Sequence, residues 1–559
     1  MSDGRIVLDA VGADFDETSL HHGYGQTPSP TQTPNGSQSA LALERRTMNP
    51  TETHPHQPDV SFDGGELDCG NGLLLLIRRH IDPMPRGGLL EIRSTEISVD
   101  EDLPAWCRMT SNEMVSFTKV GKQRSFLVAK GAFAERRGGA AAPAVSIRSG
   151  VQLIDVKPMS TWPDPAPAPP IPALAVTSIG SWPRPRWMLQ AVHEQMEGRL
   201  AEAEFQATAD DAVRLAVAAQ QRAGVDVLTD GEQRRDSYSS FVASRLDNCQ
   251  LIPLTDLLPL VDDPEEFERE LRALDVPAGD VRHPAVFGPL GRSKAIAVGE
   301  LDYVKTLTDR PVKIALPGPY LLTRTMWMEC ISDRAYANRE DLATDIVRVL
   351  REELAHLLAR GAALVQFDEP VLSEVVFSGG QSANKRSFMC GALGEKKDTP
   401  SELAFASELI NATVAGFPRE RIAVHMCRGN WTPDESAALA GDYTPLVPTL
   451  AGLKVGTLLL ELCTPRAGEM EILKSIPGDM RIGIGVCNQK HAHVESIDEI
   501  VAKGERAIQL FGKERVLFTP DCGFATFADN PISSDKIAEA KLAAMAQATA
   551  ILRARHGVH

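Results

Sequence analysis

"IAVHMC", residues 422–427, is an apolar run that ends on a histidine and a cysteine two positions apart, and its reading decides the fold. Side chains alternate across a strand, so His425 and Cys427 would leave the same face and could share one metal ion. Similar runs surround it. "TLLLELC" (457–463), "RIGIGVCN" (481–488) and "VLFTPDC" (516–522) lie downstream, and "AVTSIGS" (175–181), "VDVLTDGE" (225–232), "VKIALPGP" (312–319) and "ALVQFDEP" (363–370) lie upstream. Helical patterns such as "ADDAVRLAVAAQQRAG" (209–224), "REDLATDIVRVLREELAHLLARG" (339–361) and "SIDEIVAKGERAIQLFG" (496–512) separate most of them. Eight strands alternating with helices predict an α/β chain folded as a (β/α)8 TIM barrel over 174–559. The stretch 236–308 is too long for a simple connection and predicts a helical insertion over the mouth.

Composition limits what such a chain does. Of 559 residues, 43% are hydrophobic and 24% charged, ordinary for a globular protein with a sizeable core. A formal charge of −17 argues against broad binding to nucleic acid or anionic membranes, both of which need basic surface. With no long apolar run and no basic, apolar leader in "MSDGRIVLDAVGADFDET", the expectation is a cytoplasmic protein acting on small molecules. The nine cysteines are too dispersed for a small disulfide scaffold, so each is a buried thiol, a metal ligand or a reactive thiolate.

Upstream of the barrel, residues 1–58 are rich in Pro, Ser, Thr, Gln and Gly and predict a disordered tail. Residues 134–173 contain "AERRGGAAAPA" and "MSTWPDPAPAPPIPA", a Pro/Ala/Gly-rich, semi-rigid linker. Between them, 59–133 predict a small α+β two-layer sandwich in the order βαβαββ. Its elements are strand "GELDC", helix "GLLLLIRRHID", strand "GGLLEIRST", helix "VDEDLPAWCRMT" and strands "EMVSFTKV" and "RSFLVAKG". This unit resembles the TusA-like sulfur-carrier family over roughly 65–131, whose Cys-Pro-x-Pro motif corresponds here to "CGNG" with Cys69 in place and glycine at both prolines. The resemblance implies a persulfide on Cys69 and a sulfur-transfer partner; a helix N-terminus would stabilise the Cys69 thiolate.

Polar residues gather at the C-terminal ends of the barrel strands, where barrel enzymes place their sites. Glu461 ends strand six and Cys522 ends strand eight, so one His, two Cys and one Glu could surround a tetrahedral ion, with soft thiolates and imidazole favouring Zn2+. Cys463 and Cys487, also near strand ends, are expected to be structural.

The same residues carry a second resemblance, to the catalytic domain of cobalamin-independent methionine synthase, over nearly the whole barrel. "VHMC", "LLLELC" and "PDCG" match that family's zinc ligands, implying His425, Cys427, Glu461 and Cys522. "TSIGSWPR" implies an amino-acid-binding segment at Ile179, Gly180 and Ser181, while "DGEQRRD" and "FDEP" imply Glu232 and Asp368 as the carboxylates that hold the homocysteine ammonium. His493 in "HAHVES" is the candidate general acid. The resemblance implies an S-methyltransferase in which zinc makes the thiol a thiolate and a donor such as a methyl-folate or methylcobalamin methylates it. The chain departs from the family in carrying the small unit in place of a second barrel. Trp327 stands two positions beyond the expected folate-stacking position near Thr325, and "RGNW" and "CTPRAGE" look closer to epoxyalkane:coenzyme M transferase. Alkyl transfer to another thiol and sulfur relay through a Cys69 persulfide therefore stand as alternatives.

Overall fold

The structure is a computed structural model that describes residues 50–136 and 153–558, except 52, 68–72, 197, 254–281, 329–331, 333–334, 378–397, 431–434, 436–437 and 527–532. Cys69 and the 1–49 part of the expected tail lie outside the described residues.

The chain has a mixed α/β fold around a six-stranded parallel sheet. Its strands are β7 (Lys313–Pro317), β8 (Leu364–Asp368), β9 (Ile422–Met426), β10 (Thr457–Leu460), β11 (Arg481–Cys487) and β12 (Val516–Pro520), in the order β12-β11-β10-β9-β8-β7. Parallel neighbours need long crossovers, and helices such as Arg339–Ala359, Thr399–Val414 and Ile497–Phe511 supply them. Nearly every strand residue is buried, as expected for a parallel sheet covered on its faces, which is why these segments read as continuous apolar runs. Isolated parallel bridges join Val176 to Phe518, Thr177 to Val227 and Leu228 to Val312, so pairing continues from β12 through the 176–177 and 227–228 segments to the start of β7. The registers put Asp368 level with His425, and Leu460 level with Met426.

Local chemistry sets the helix ends. Helix Ile497–Phe511 starts with a capping box in which the Ser496 hydroxyl accepts from Glu499 N–H and the Glu499 carboxylate accepts from Ser496 N–H. It packs against helix Asp535–His556, whose Leu542, Met545 and Leu552 are fully buried in the main core. Among the described residues no helix is long and apolar enough to cross a membrane.

Upstream lies a four-stranded sheet, β1 (Val60–Asp63), β2 (Leu89–Ser94), β3 (Glu113–Val120) and β4 (Gln123–Ala129), in the order β1-β2-β4-β3. Helices α1 (Leu74–Ile81) and α2 (Val99–Met109) share one core with it, built on Ile77, Ile92, Leu103, Trp106 and Phe126. The first strand begins five residues earlier than "GELDC", because Asp63 Oδ1 accepts from Gly65 N–H and Gly65 turns the chain at φ +59°. Residues 51 and 53–58, expected in the tail, instead lie along this sheet: Thr51 pairs with Thr118, and the His54 ring sits between the hydroxyls of Ser116 (2.6 Å) and Ser125 (2.9 Å).

One further expectation is corrected and one is made more specific. The described part of the 236–308 insertion is not simply helical: β5 (Asp247–Pro253) and β6 (Arg282–Gly291) form an antiparallel ribbon beside the short helix Val298–Lys305. The linker is pinned from 153 onward. Ile154 and Asn248 exchange hydrogen bonds at 2.8 and 3.0 Å, Met159 N–H reaches Glu352 at 3.1 Å, and Ala166 pairs with Leu358 and Arg421. Trp162 meets Phe417 edge-on, with the Arg351 guanidinium over both rings. The ribbon also touches the small sheet's helix, with Arg79 3.2 Å above the Phe287 ring.

Candidate active site

A pocket of about 410 Å³ gathers residues from five segments: Ile179 and Ser181, Glu232, Asp368 and Pro370, His425, Cys427 and Asn430, and Cys522, Gly523 and Thr526, with Tyr238 from the insertion. Ligand atoms of His425, Cys427 and Cys522 all lie within 4.8 Å of one another, and all three residues are buried. The His425 tautomer is fixed from behind: Nδ1 donates to the Leu459 carbonyl at 3.1 Å, and Nε2 has no hydrogen-bond partner among the described residues. A buried lone pair left open beside two thiols suits a borderline-soft cation. One of the two sulfurs, Cys427, is already polarised toward thiolate. The hydrogen bond from Cys522 holds Cys427 well below the usual thiol range against the effect of burial, with the His425 ring adding to it. The same bond, and then burial, push Cys522 up.

Glu461 is buried next to this group but does not join it. Its Oε2 accepts from Arg428 N–H at 2.8 Å and its Oε1 from Arg466 at 2.5 Å. Arg466 also pairs with Glu435, so the carboxylate is held by the loops that come after β9 and β10.

The residues expected to bind the amino acid lie on the 177–235 and β8 side. Glu232 has a left-handed backbone at φ +55°, a strained conformation for this residue type, and the surroundings enforce it. Its N–H donates to Asp230 at 3.0 Å, and its carbonyl accepts from Arg184 at 2.6 Å. Arg235 stands 3.7 Å from the Glu232 carboxylate and is itself anchored by Glu300 at 2.6 Å. Glu232 Oε2 is buried without a hydrogen-bond partner among the described residues. Gly180 makes room for it, since a Cβ there would overlap Oε1. Ser181 is locked between segments: its carbonyl accepts from Phe524 N–H at 3.1 Å, and its hydroxyl from Ala525 N–H at 3.3 Å.

In "FDEP" the two carboxylates part company. Asp368 lines the pocket, while Glu369 caps helix Pro319–Met326 by accepting from Tyr320 and Leu321 N–H at 2.8 and 2.9 Å. Burial first, and then the nearby Glu232 charge, raise Asp368 to about 7 despite His425, Gln366 and Lys313. Burial likewise raises Glu232, against Arg235 and Arg184.

His493 is exposed and absent from the pocket lining; its carbonyl takes the Lys541 ammonium. Lys490, three residues nearer the end of β11, is buried instead, and the charges of Glu461, Cys522 and Cys427 act on it. Sequence reasoning also passed over Tyr238 and Asn430. Asn430 bridges Gly523 O at 2.7 Å and Thr526 at 2.8 Å while accepting from Gln489 at 2.6 Å. Its place three residues beyond Cys427 was the available signal; Tyr238, inside the insertion, had none. Cys463 and Cys487 lie outside the pocket, and burial raises both thiols.

Residues 174–254 and 277–550 match the family described as Cobalamin-independent synthase, Catalytic domain. A methionine synthase of Saccharolobus solfataricus is 26% identical over 385 residues, covering 68% of this chain and 96% of that protein. One from Sulfolobus acidocaldarius is 26% identical over 386 residues, covering 68% and 93%. The fold is similar to that of a B12-independent methionine synthase from Shewanella sp. W3-18-1 in complex with selenomethionine, at TM-score 0.52 and 22% identity over 68% of this chain and 98% of that one. With more than half its length matched and the parallel strand ends gathered around one pocket, the chain belongs to the cobalamin-independent methionine synthase catalytic-domain family.

Proposed function

We propose that this chain is a homocysteine S-methyltransferase whose site is completed by one zinc ion held by His425, Cys427 and Cys522, with Glu461 as an exchangeable fourth donor. One observation carries the reading: three metal-donor side chains and two buried carboxylates line a single pocket. When bound, the ion would act as a Lewis acid that lowers the thiol pKa and so supplies the nucleophile. The protein's residues do the rest. Leu459 O orients the His425 ring, Arg428 N–H and Arg466 hold Glu461 near the donors, and Glu232 and Asp368 take the substrate ammonium. Ile179, Gly180 and Ser181 shape the wall against which the amino acid lies. Fixing the substrate at both ends sets its sulfur toward an incoming methyl carbon. Lys490, buried among these charges, suits the protonation of a leaving group better than the exposed His493.

The described bridges support a closed (β/α)8 barrel from 174 to the C-terminal helix. The four strands and two helices upstream support a TusA-like two-layer unit over 59–133, docked on the β5–β6 ribbon through Arg79. Sulfur delivery by Cys69 is tested by Cys69→Ser, which leaves turnover unchanged if the unit only docks. Transfer to a sulfonate thiol such as coenzyme M fits less well, because Glu232 and Asp368 would repel a sulfonate. Calorimetric binding of homocysteine and coenzyme M to the purified chain decides between them: the reading requires homocysteine to bind and coenzyme M not to.

A further inference from the structure

Beneath Asp368 lies a buried lysine that the reaction does not require. Lys313 opens β7 and is fully buried; its ammonium donates to Ser178 O at 2.5 Å and to Gln366 Oε1 at 2.6 Å. Gln366 in turn donates from Nε2 to Asp368 Oδ1 at 2.6 Å. Gln366 and Asp368, two apart on β8, point to the same face, and the Lys313–Leu364 register places the lysine one pair below them, within reach of its four-carbon stem.

The order of donors is forced. A lysine ammonium has three N–H donors and no acceptor, so the amide oxygen of Gln366 must face it. The amide NH2 group must then face Asp368, and one carboxylate oxygen is fixed while the other is left to the pocket. Burying a lysine costs several kcal/mol unless its surroundings compensate, and a methionine would fill the same volume without that cost. Here the compensation comes from Ser178 O, Gln366 and the charges of Asp368 and Glu232.

We propose that Lys313 and Gln366 are positioning residues: Lys313 locks the Gln366 amide with its donor toward Asp368, and this holds the carboxylate where it selects a substrate carrying an α-ammonium group. The inference rests on the reading of Asp368 as an ammonium-binding residue. Without Lys313 the amide is free to turn, and an amide oxygen against the carboxylate would displace it.

The test is calorimetric binding of homocysteine and of 4-mercaptobutanoate, which is homocysteine without its amino group, to the full chain as purified. Lys313→Met and Gln366→Met are compared with wild type, and thermal melts report whether each variant is folded. The expected result is a wild-type preference for homocysteine that falls ~10-fold or more in both variants, with 4-mercaptobutanoate affinity kept within ~2-fold. Because Gln366→Met leaves the buried charge in place, it carries the test even if Lys313→Met fails to fold. A preference retained in Gln366→Met overturns the inference, whatever Lys313→Met does. A wild type that binds both thiols equally overturns the ammonium reading itself, and this inference with it.

Discussion

At the ends of β9 and β12, soft donors converge: Cys427 is held toward thiolate by Cys522 and the His425 ring, and His425 Nε2 lacks a hydrogen-bond partner among the described residues. At Glu232 and Asp368, by contrast, counter-cations are built in, with Arg184 and Arg235 around the first and Lys313, through Gln366, behind the second. The difference separates two kinds of incompleteness. On the proposed reading, a bound metal ion completes the first group. The second is already held in place and has one buried carboxylate oxygen, Glu232 Oε2, open for a ligand's N–H donors.

Breaking the first group has the largest expected effect. Cys522→Ser or His425→Ala removes one of three mutually close donors, and methyl transfer should fall by ~1,000-fold or more, about 4 kcal/mol of transition-state stabilisation, together with loss of bound zinc by elemental analysis. Retained metal and rate would mean that the three donors are structural.

Next in size is the carboxylate group. Asp368→Asn or Glu232→Gln should raise the homocysteine Kd roughly 10- to 100-fold, about 1.4–2.8 kcal/mol, with little change for 4-mercaptobutanoate. Equal weakening of both thiols would place the carboxylates elsewhere in the mechanism.

The pH dependence sharpens the same contrast. Asp368, raised to about 7 chiefly by burial, must be ionised to take an ammonium, so the preference for homocysteine over 4-mercaptobutanoate should grow as pH rises through about 7 and then level off. Stability of the free protein has the opposite sign. Asp368 and Asp230, each raised to about 7 with burial the first cause, hold protons in the folded state that the unfolded chain has released. The contribution therefore falls as pH rises from the ordinary carboxylate range to about 7, which denaturant titrations across pH would measure.

The smallest effect lies outside both groups. Ser496→Ala removes one half of the capping box and should lower stability by about 1 kcal/mol in denaturant melts while leaving thiol binding unchanged.

The contrast also shows what the sequence made legible. Strands β7 to β12 were readable because burial on both faces makes them uninterrupted apolar runs, and two-residue parity alone put His425 and Cys427 on one face. The β5–β6 ribbon was missed because "DNCQLIP" and "RHPAVFGPLG" mix polar, Gly and Pro residues with no clean alternation. Glu461 read as one more strand-end donor, yet its oxygens are occupied by an N–H two residues beyond His425's strand and by a loop arginine, partners that only the fold brings near. His493 drew notice as a histidine by type, whereas burial falls on Lys490 because the chain has reached the surface by 493. In the sequence Lys313 is only a charge at the start of an apolar run; its register beneath Gln366 could not be read from one chain segment.

The most direct test of the central claim is zinc content measured with thiol-dependent proton release on protein purified without chelators, for wild type and Cys522→Ser. The account predicts one zinc per wild-type chain, proton release on adding homocysteine but not coenzyme M, and loss of both signals in the variant. Protein without zinc, or a Cys522→Ser variant that keeps its zinc and its proton release, would contradict it.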